Sequence, residues 1–174
     1  MKHKIILGID PGPEKSAYVY LCGKNILSAG YIQNDILIHK IMDSNYDICA
    51  VEGVRSFGKK IGNTTLITCE LSGIFYQAAK SRGKISHILY RNTNNKDGIK
   101  SIRAYLCGKV GSKENEVDQV VKNYLPRCWS GDLISGERGP LFLKINGIYY
   151  NHKLSAAAVA ITYQGSAEYQ ELIK

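Results

Sequence analysis

The chain opens on Ile5-Ile6-Leu7-Gly8-Ile9, an apolar run that stops at Asp10-Pro11-Gly12. A short apolar run without alternation, rich in isoleucine and closed by turn residues, predicts a strand buried on both faces at the centre of a helix-covered sheet. Ser16 to Cys22 and Ile26 to Ile32 follow across the short connections Pro11-Gly12-Pro13 and Gly23-Lys24-Asn25, which predicts an antiparallel meander. Asn34 or Asp35 can cap a helix over Ile36-Leu37-Ile38 and Ile41-Met42 that Asp43-Ser44-Asn45 closes. Tyr46 to Glu52 then repeats the opening: Ile48-Cys49-Ala50-Val51 is apolar, Glu52 ends it and Gly53 follows. With a helix before it, this strand returns most simply parallel to the first, which puts Glu52 and Asp10 at the same end of the sheet.

Helical periodicity returns from Thr64 to about Arg82, where Leu66, Ile67, Leu71, Ile74, Phe75 and Ala78 form an apolar stripe and Gly83 is the stop. Glu70 lies beside that stripe and reads as a solvated flank position, though it could approach the acids. Ile85 to Tyr90 is a further strand, and Asp97 to Cys107 a helix ended by Gly108. Another helix opens after Ser112, with Glu114 and Glu116 in its first turn where acids suit the helix dipole; Val117, Val120, Val121 and Tyr124 share a face, and Pro126 stops it. Residues 127–150 are broken by glycines, and Leu141 to Tyr150 reads as a hairpin turning at Asn146-Gly147. The last helix runs from about His152 to Gln164 with Asn151 as N-cap, and its Ala156-Ala157-Ala158-Val159-Ala160 stretch is small enough to lie close against a sheet.

Composition narrows the class. A chain of 174 residues with 44% hydrophobic content is expected to form a single domain, 1–174, with a real core. No apolar stretch is long enough to span a bilayer and the N-terminal run is too short for a signal peptide, so the expected location is the cytoplasm. Cys22, Cys49, Cys69, Cys107 and Cys128 are scattered, odd in number and never in C-x-x-C spacing. They suggest neither a disulfide framework nor a zinc site, and read as small buried hydrophobes. The formal net charge of +8 favours a polyanionic partner, nucleic acid being the usual one, over a merely basic surface.

The candidate chemistry gathers at the ends of elements. Asp10 lies at the rim of a core with no arginine adjoining it in sequence, and reads either as a metal ligand or as a cap of the following turn. Glu52 would meet it, and two acids at one sheet end repel unless a cation lies between them. His152 and Ser155, three apart on the last helix, share the face that must touch the sheet. A histidine there is often only a hydrogen-bonded structural residue; here it would be a third polar group arriving where two acids stand.

The order of these features resembles the RuvC branch of the ribonuclease H-like fold: strand-Gly-Ile-Asp-Pro-Gly, meander, helix, strand ending in Glu, and a late Ala-rich helix introduced by a histidine. Gly53 to Ala79 is similar to the segment after the catalytic glutamate of RuvC-type Holliday junction resolvases, and Gly111-Ser112-Lys113-Glu114 to Val121 to a later basic helix of theirs. Cys107-Gly108, Gly139-Pro140-Leu141 and Ser155 to Ala160 look closer to RuvC-like endonucleases of phages and prophages. The resemblance spans roughly Lys4 to Tyr163, and the order and spacing of its motifs are more specific than any one of them. It implies an α/β fold with a mixed five-stranded sheet, an antiparallel meander plus parallel strands, flanked by helices.

It also implies an enzyme, a crossover junction endodeoxyribonuclease that hydrolyses branched DNA as a homodimer, with Asp10, Glu52 and His152 holding Mg2+, or Mn2+ in its place. In the bacterial RuvC enzymes the last helix supplies two ligands three residues apart; here these positions are His152 and Ser155, and a neutral hydroxyl is a far poorer magnesium ligand than aspartate. Ser155 is either tolerated, with water completing the shell, or marks a weakened or deliberately altered site. By the same resemblance Arg55, Phe57, Lys59 and Lys60, in the loop after Glu52, meet DNA, with Phe57 stacking on a base; the alternative is an ordinary exposed loop whose Phe enters the core. Lys109, Lys113, Lys122 and Arg127 are further phosphate contacts or simply solvated charges. The rival readings are a non-catalytic junction-binding protein and a ribonuclease H-fold enzyme acting on RNA or on branched DNA in general. An actin-like or sugar-kinase fold fails on length and on the lack of a second glycine-rich phosphate loop.

Overall fold

The computed structural model describes residues 3–55, 61–95, 98–125, 144–145, 148–149 and 152–174. Its sheet grows around β1 (Ile5–Asp10), flanked by β2 (Lys15–Cys22) on one side and β4 (Ile48–Gly53) on the other. β3 (Asn25–Gln33) and β5 (Ile85–Tyr90) complete the order β3-β2-β1-β4-β5. The β1–β2 and β2–β3 pairs are antiparallel, as the tight turns require, while β4 lies parallel to β1 and β5 parallel to β4. Register then places the ends together: Ile9 faces Val51, Asp10 faces Ala17, and Glu52 faces Leu89.

Alternation sorts the side chains onto two faces. Leu7, Ile9, Cys49 and Val51 pack with Leu37, Ile41, Phe75 and Ala79 from α1 (Asn34–Asp43) and α2 (Asn63–Ser81). Ile6, Ile48, Ala50 and Leu89 face the other way, onto α5 (His152–Gln164), which α3 (Ile102–Cys107) and α4 (Glu114–Tyr124) cover from outside. α5 is buried throughout from Leu154 to Gln164, as its small, largely apolar sequence allows. It lies so close to β1 that a Cβ at Gly8 would come within 2.4 Å of the Ala156 carbonyl oxygen and 2.8 Å of the Ala160 Cβ. The short α6 (Ala167–Leu172) follows α5, and β6 (Lys144–Ile145) pairs antiparallel with β7 (Ile148–Tyr149); Asn146 and Gly147, the expected turn of the hairpin, lie outside the described residues. Among the described residues no helix is long and apolar enough to cross a membrane.

Several expectations give way to local chemistry. Neither Asn34 nor Asp35 caps α1; Gln33 holds the N-cap position without a side-chain bond, because the Asn34 amide is used elsewhere. The α2 stripe splits: Phe75 is buried and Ile67, Leu71 and Ala78 are half-buried, but Leu66 and Ile74 are 49% and 46% exposed on the outer side. α3 starts at Ile102, not at Asp97, because the Ser101 hydroxyl accepts from the Ala104 N–H and caps it there. Gly108 closes α3 in the left-handed region at φ 76°, as expected. Of the cysteines, Cys49 is buried, whereas Cys22, Cys69 and Cys107 are only half-buried; all four are free thiols. Asn151, Pro126 and Cys128 lie outside the described residues.

Candidate active site

Period two decides which way the carboxylates point. Asp10 is in step with Ile6 and Gly8, and Glu52 with Ile48 and Ala50, so both project to the α5 face from the same end of neighbouring strands. Asp10 is the last residue of β1, and the turn behind it is tied from three sides. The Gly12 N–H donates to Ser16 Oγ at 3.1 Å, Ser16 Oγ donates to Asn34 Oδ1 at 2.6 Å, and Asn34 Nδ2 donates to the Gly12 carbonyl at 3.0 Å. Glu52 is fixed through its backbone, where the buried Ser72 hydroxyl of α2 donates to its carbonyl at 2.9 Å.

α5 delivers His152 to Asp10. The close approach at Gly8 lets the helix run down the sheet, and its first turn brings His152 Nδ1 within 3.1 Å of Asp10 Oδ2. Tyr31 of β3, aligned with Asp10 through Ala17 across two register pairs, stacks on the imidazole at 5.0 Å between centroids and 2° between planes. The hydrogen bond to Asp10 holds the His152 pKa above its ordinary value, partly opposed by burial. Ser155 is buried one turn further along α5.

The side chain that the sequence reading missed is Arg91. It follows β5 directly and, two residues beyond Leu89, keeps to the α5 face. Its Nε and NH2 groups donate to the two oxygens of Glu52 at 2.6 and 2.5 Å, and its NH1 meets Glu114 at the head of α4. Glu114 also accepts from Arg103 at 3.4 Å. So Glu114, expected simply to suit a helix dipole, is the second carboxylate of an arginine-rich cluster. Burial pushes the Glu52 carboxyl up, and Asp10 and Glu114 add to this, while Arg91 pulls it down; the net direction is upward. Burial works against the Arg91 charge, but Glu52 and Glu114 outweigh it and hold the guanidinium firmly protonated. Two parallel N–H donations need two acceptor oxygens, so the Glu52–Arg91 contact is an ion pair. The signal for it was present: a cation one step past a strand parallel to that of Glu52, in phase with the apolar face.

Asp10 and His152 are thus in contact, Ser155 follows one turn along the same helix, and Glu52 shares the sheet end of Asp10 but turns its oxygens to Arg91. Among the described residues no three acidic, histidine or cysteine side chains close into a ready set of metal ligands. By chemistry the donors suit a hard divalent cation, two carboxylates and an imidazole, and the Arg91 guanidinium stands in as the positive charge that the paired acids demand. Glu70 is exposed on α2. Arg55 is exposed, its guanidinium 4.0 Å from the centroid of Tyr90, beside a hollow of about 180 Å³ that Glu52 and Arg91 also line. A roomier hollow of about 380 Å³ lies between Tyr105 and Thr162, touching none of these acids. Lys113 is exposed at the start of α4, Lys109 lies 3.9 Å from Glu116, and Lys122 is half-buried. Phe57, Lys59, Lys60 and Arg127 lie outside the described residues.

No protein-family model matches the chain, and no curated protein sequence matches it. Solved structures do. The Thermus thermophilus RuvC structure is 15% identical over 97% of this chain and 96% of that one, with a TM-score of 0.61. T. thermophilus RuvC in complex with a Holliday junction substrate is 16% identical over 98% and 96%, with a TM-score of 0.65. The fold is therefore the RuvC-type, ribonuclease H-like one, with the mixed five-stranded sheet that the resemblance implies.

Proposed function

We propose that this chain is a structure-selective endodeoxyribonuclease that resolves four-way or other branched DNA junctions by divalent-metal-dependent phosphodiester hydrolysis. The observation that carries this reading is the meeting of Asp10, Glu52 and the first turn of α5 at one end of a RuvC-type sheet. Asp10, Glu52 and His152 would hold Mg2+, or Mn2+ in its place. Such an ion, when bound, neutralises charge on the scissile phosphate and lowers the pKa of a bound water. Asp10 fixes the imidazole: with the proton on Nδ1 directed at Oδ2, the Nε2 lone pair serves either as a ligand or as the base that takes a proton from water. Tyr31 keeps the ring in that plane. Ser155 would bring a hydroxyl one turn further along α5 without adding charge.

The substrate side rests on charge and on the loop after Glu52. Arg55, Lys59, Lys60 and Lys113 would meet phosphates and Phe57 would stack on a base. A four-way junction has two scissile strands related by a dyad, so a two-fold dimer is the expected form, and the apolar outer side of α2 at Leu66 and Ile74 is a suitable contact. The stretches around Gly108 and Ser155 favour kinship with phage-borne enzymes of this type acting in the cytoplasm of a host.

The test is cleavage of a labelled four-way junction beside its matching linear duplex in Mg2+ or Mn2+. Paired, symmetric nicks on the junction alone are expected; cuts on both substrates alike would make it a general nuclease. One observation favours a second reading, a junction-binding protein without cleavage: Ser155 is neutral, and both Glu52 oxygens are taken by Arg91. That reading predicts tight junction binding, no nicks in either metal, and nicks restored by Ser155→Asp.

A further inference from the structure

The Glu52–Arg91–Glu114–Arg103 cluster has a property that the nuclease reading leaves unused. Each Glu52 oxygen that a divalent ion would use already accepts from the Arg91 guanidinium, at 2.6 and 2.5 Å. Both side chains are well shielded, at 11% and 17% exposure, so the pair is little weakened by solvent. A buried charge separated from every partner is strongly destabilising, yet Arg91 has a second seat: its NH1 already touches Glu114, a more open carboxylate at 43% exposure. Its backbone is pinned, because the Arg103 N–H donates to the Arg91 carbonyl at 3.2 Å and Asn95 Nδ2 donates to the Ile88 carbonyl at 2.7 Å. Only the side chain needs to move.

We propose that Arg91 is a resident counter-cation that holds Glu52 until a divalent ion arrives, and is then exchanged for that ion by withdrawing onto Glu114. The inference rests on the metal-dependent reading above and extends it. Without Arg91, Glu52 would stand beside Asp10 at adjacent strand ends with only the His152 imidazole, held on Asp10, to offset their repulsion. With it, the site is assembled in advance, at the cost that the ion must compete with a guanidinium for one ligand. Arg91 is thus a positioning residue that sets how much metal the site requires.

The test reads metal affinity without DNA. Mn2+ binding to the protein, followed by paramagnetic resonance or calorimetry, is expected to tighten by at least about tenfold in Arg91→Gln, since a positive charge beside the ion is lost. It should be abolished in Asp10→Asn. In the unmutated protein, titration with Mg2+ should shift the Arg91 side-chain Nε–H resonance, assigned by its loss in Arg91→Lys, as its bond to Glu52 breaks. Unchanged or weaker Mn2+ binding in a folded Arg91→Gln, or an Arg91 resonance unmoved at Mg2+ saturation, would overturn the exchange while leaving the nuclease reading intact. If Arg91→Gln does not fold, the titration of the unmutated protein decides alone. Absence of Mn2+ binding in both the unmutated protein and Arg91→Gln would sink the exchange and the metal-dependent reading together.

Discussion

Asp10 and Glu52 stand at equivalent strand ends but are answered by different partners, an imidazole for one and a guanidinium for the other. The difference makes His152 the residue through which pH acts. Its pKa is raised in the folded chain, chiefly by the bond to Asp10, so the stability it contributes is fully present below its unfolded value of about 6.5. That contribution is lost as pH rises through the raised folded value. The ring is 44% exposed, which limits the effect to at most about 1 kcal/mol after screening. Comparing melting temperatures of the parent chain and His152→Asn from about pH 6 to about pH 9 should show a gap that is widest at the acid end. A gap that widens with pH would contradict the assignment. Arg91 was harder to see because no acid adjoins it in sequence; its partners come from a parallel strand and a helix 39 and 23 residues away.

The elements place these residues through a few close approaches. Gly8 is the clearest, since any larger side chain would push α5 off β1 and carry His152 with it. Gly8→Ala should lower stability by about 1–3 kcal/mol, read from urea unfolding, and weaken cleavage more than junction binding. Stability within about 0.5 kcal/mol of the parent would mean that the helix is not seated as described. Most elements were legible because their signals are local: apolar runs ending in an acid, tight turns, and an alanine-rich helix whose limits, His152 and Gln164, match the pattern. The misses have a common cause, a side chain recruited by something distant in sequence. Asn34 was drawn from capping α1 to tying the Gly12 turn, and Ser72 was not singled out although its hydroxyl fixes the Glu52 carbonyl. The outward turn of Leu66 and Ile74 depends on which side of α2 the sheet takes, and helical periodicity alone cannot supply that choice.

At the scale of the whole molecule, a net charge of +8 on 174 residues is suited to a polyanion. If six or more phosphates are neutralised, junction affinity should fall by about a thousandfold or more between roughly 50 and 200 mM salt, measured by gel shift or fluorescence anisotropy. A nearly flat salt dependence would argue against a phosphate-tracking surface. Sedimentation should find a dimer, and Ile74→Lys on the outer side of α2 should convert it to a monomer if that face is the contact. The central claim is that Asp10 belongs to the chemistry and the basic surface to binding. It is tested most directly by single-turnover cleavage of a labelled four-way junction by the parent chain and by Asp10→Asn, with junction affinity measured on the same samples. Loss of cleavage by at least about a thousandfold with affinity held within about threefold is the predicted result. Cleavage that survives Asp10→Asn, or that falls only in step with binding, would contradict it.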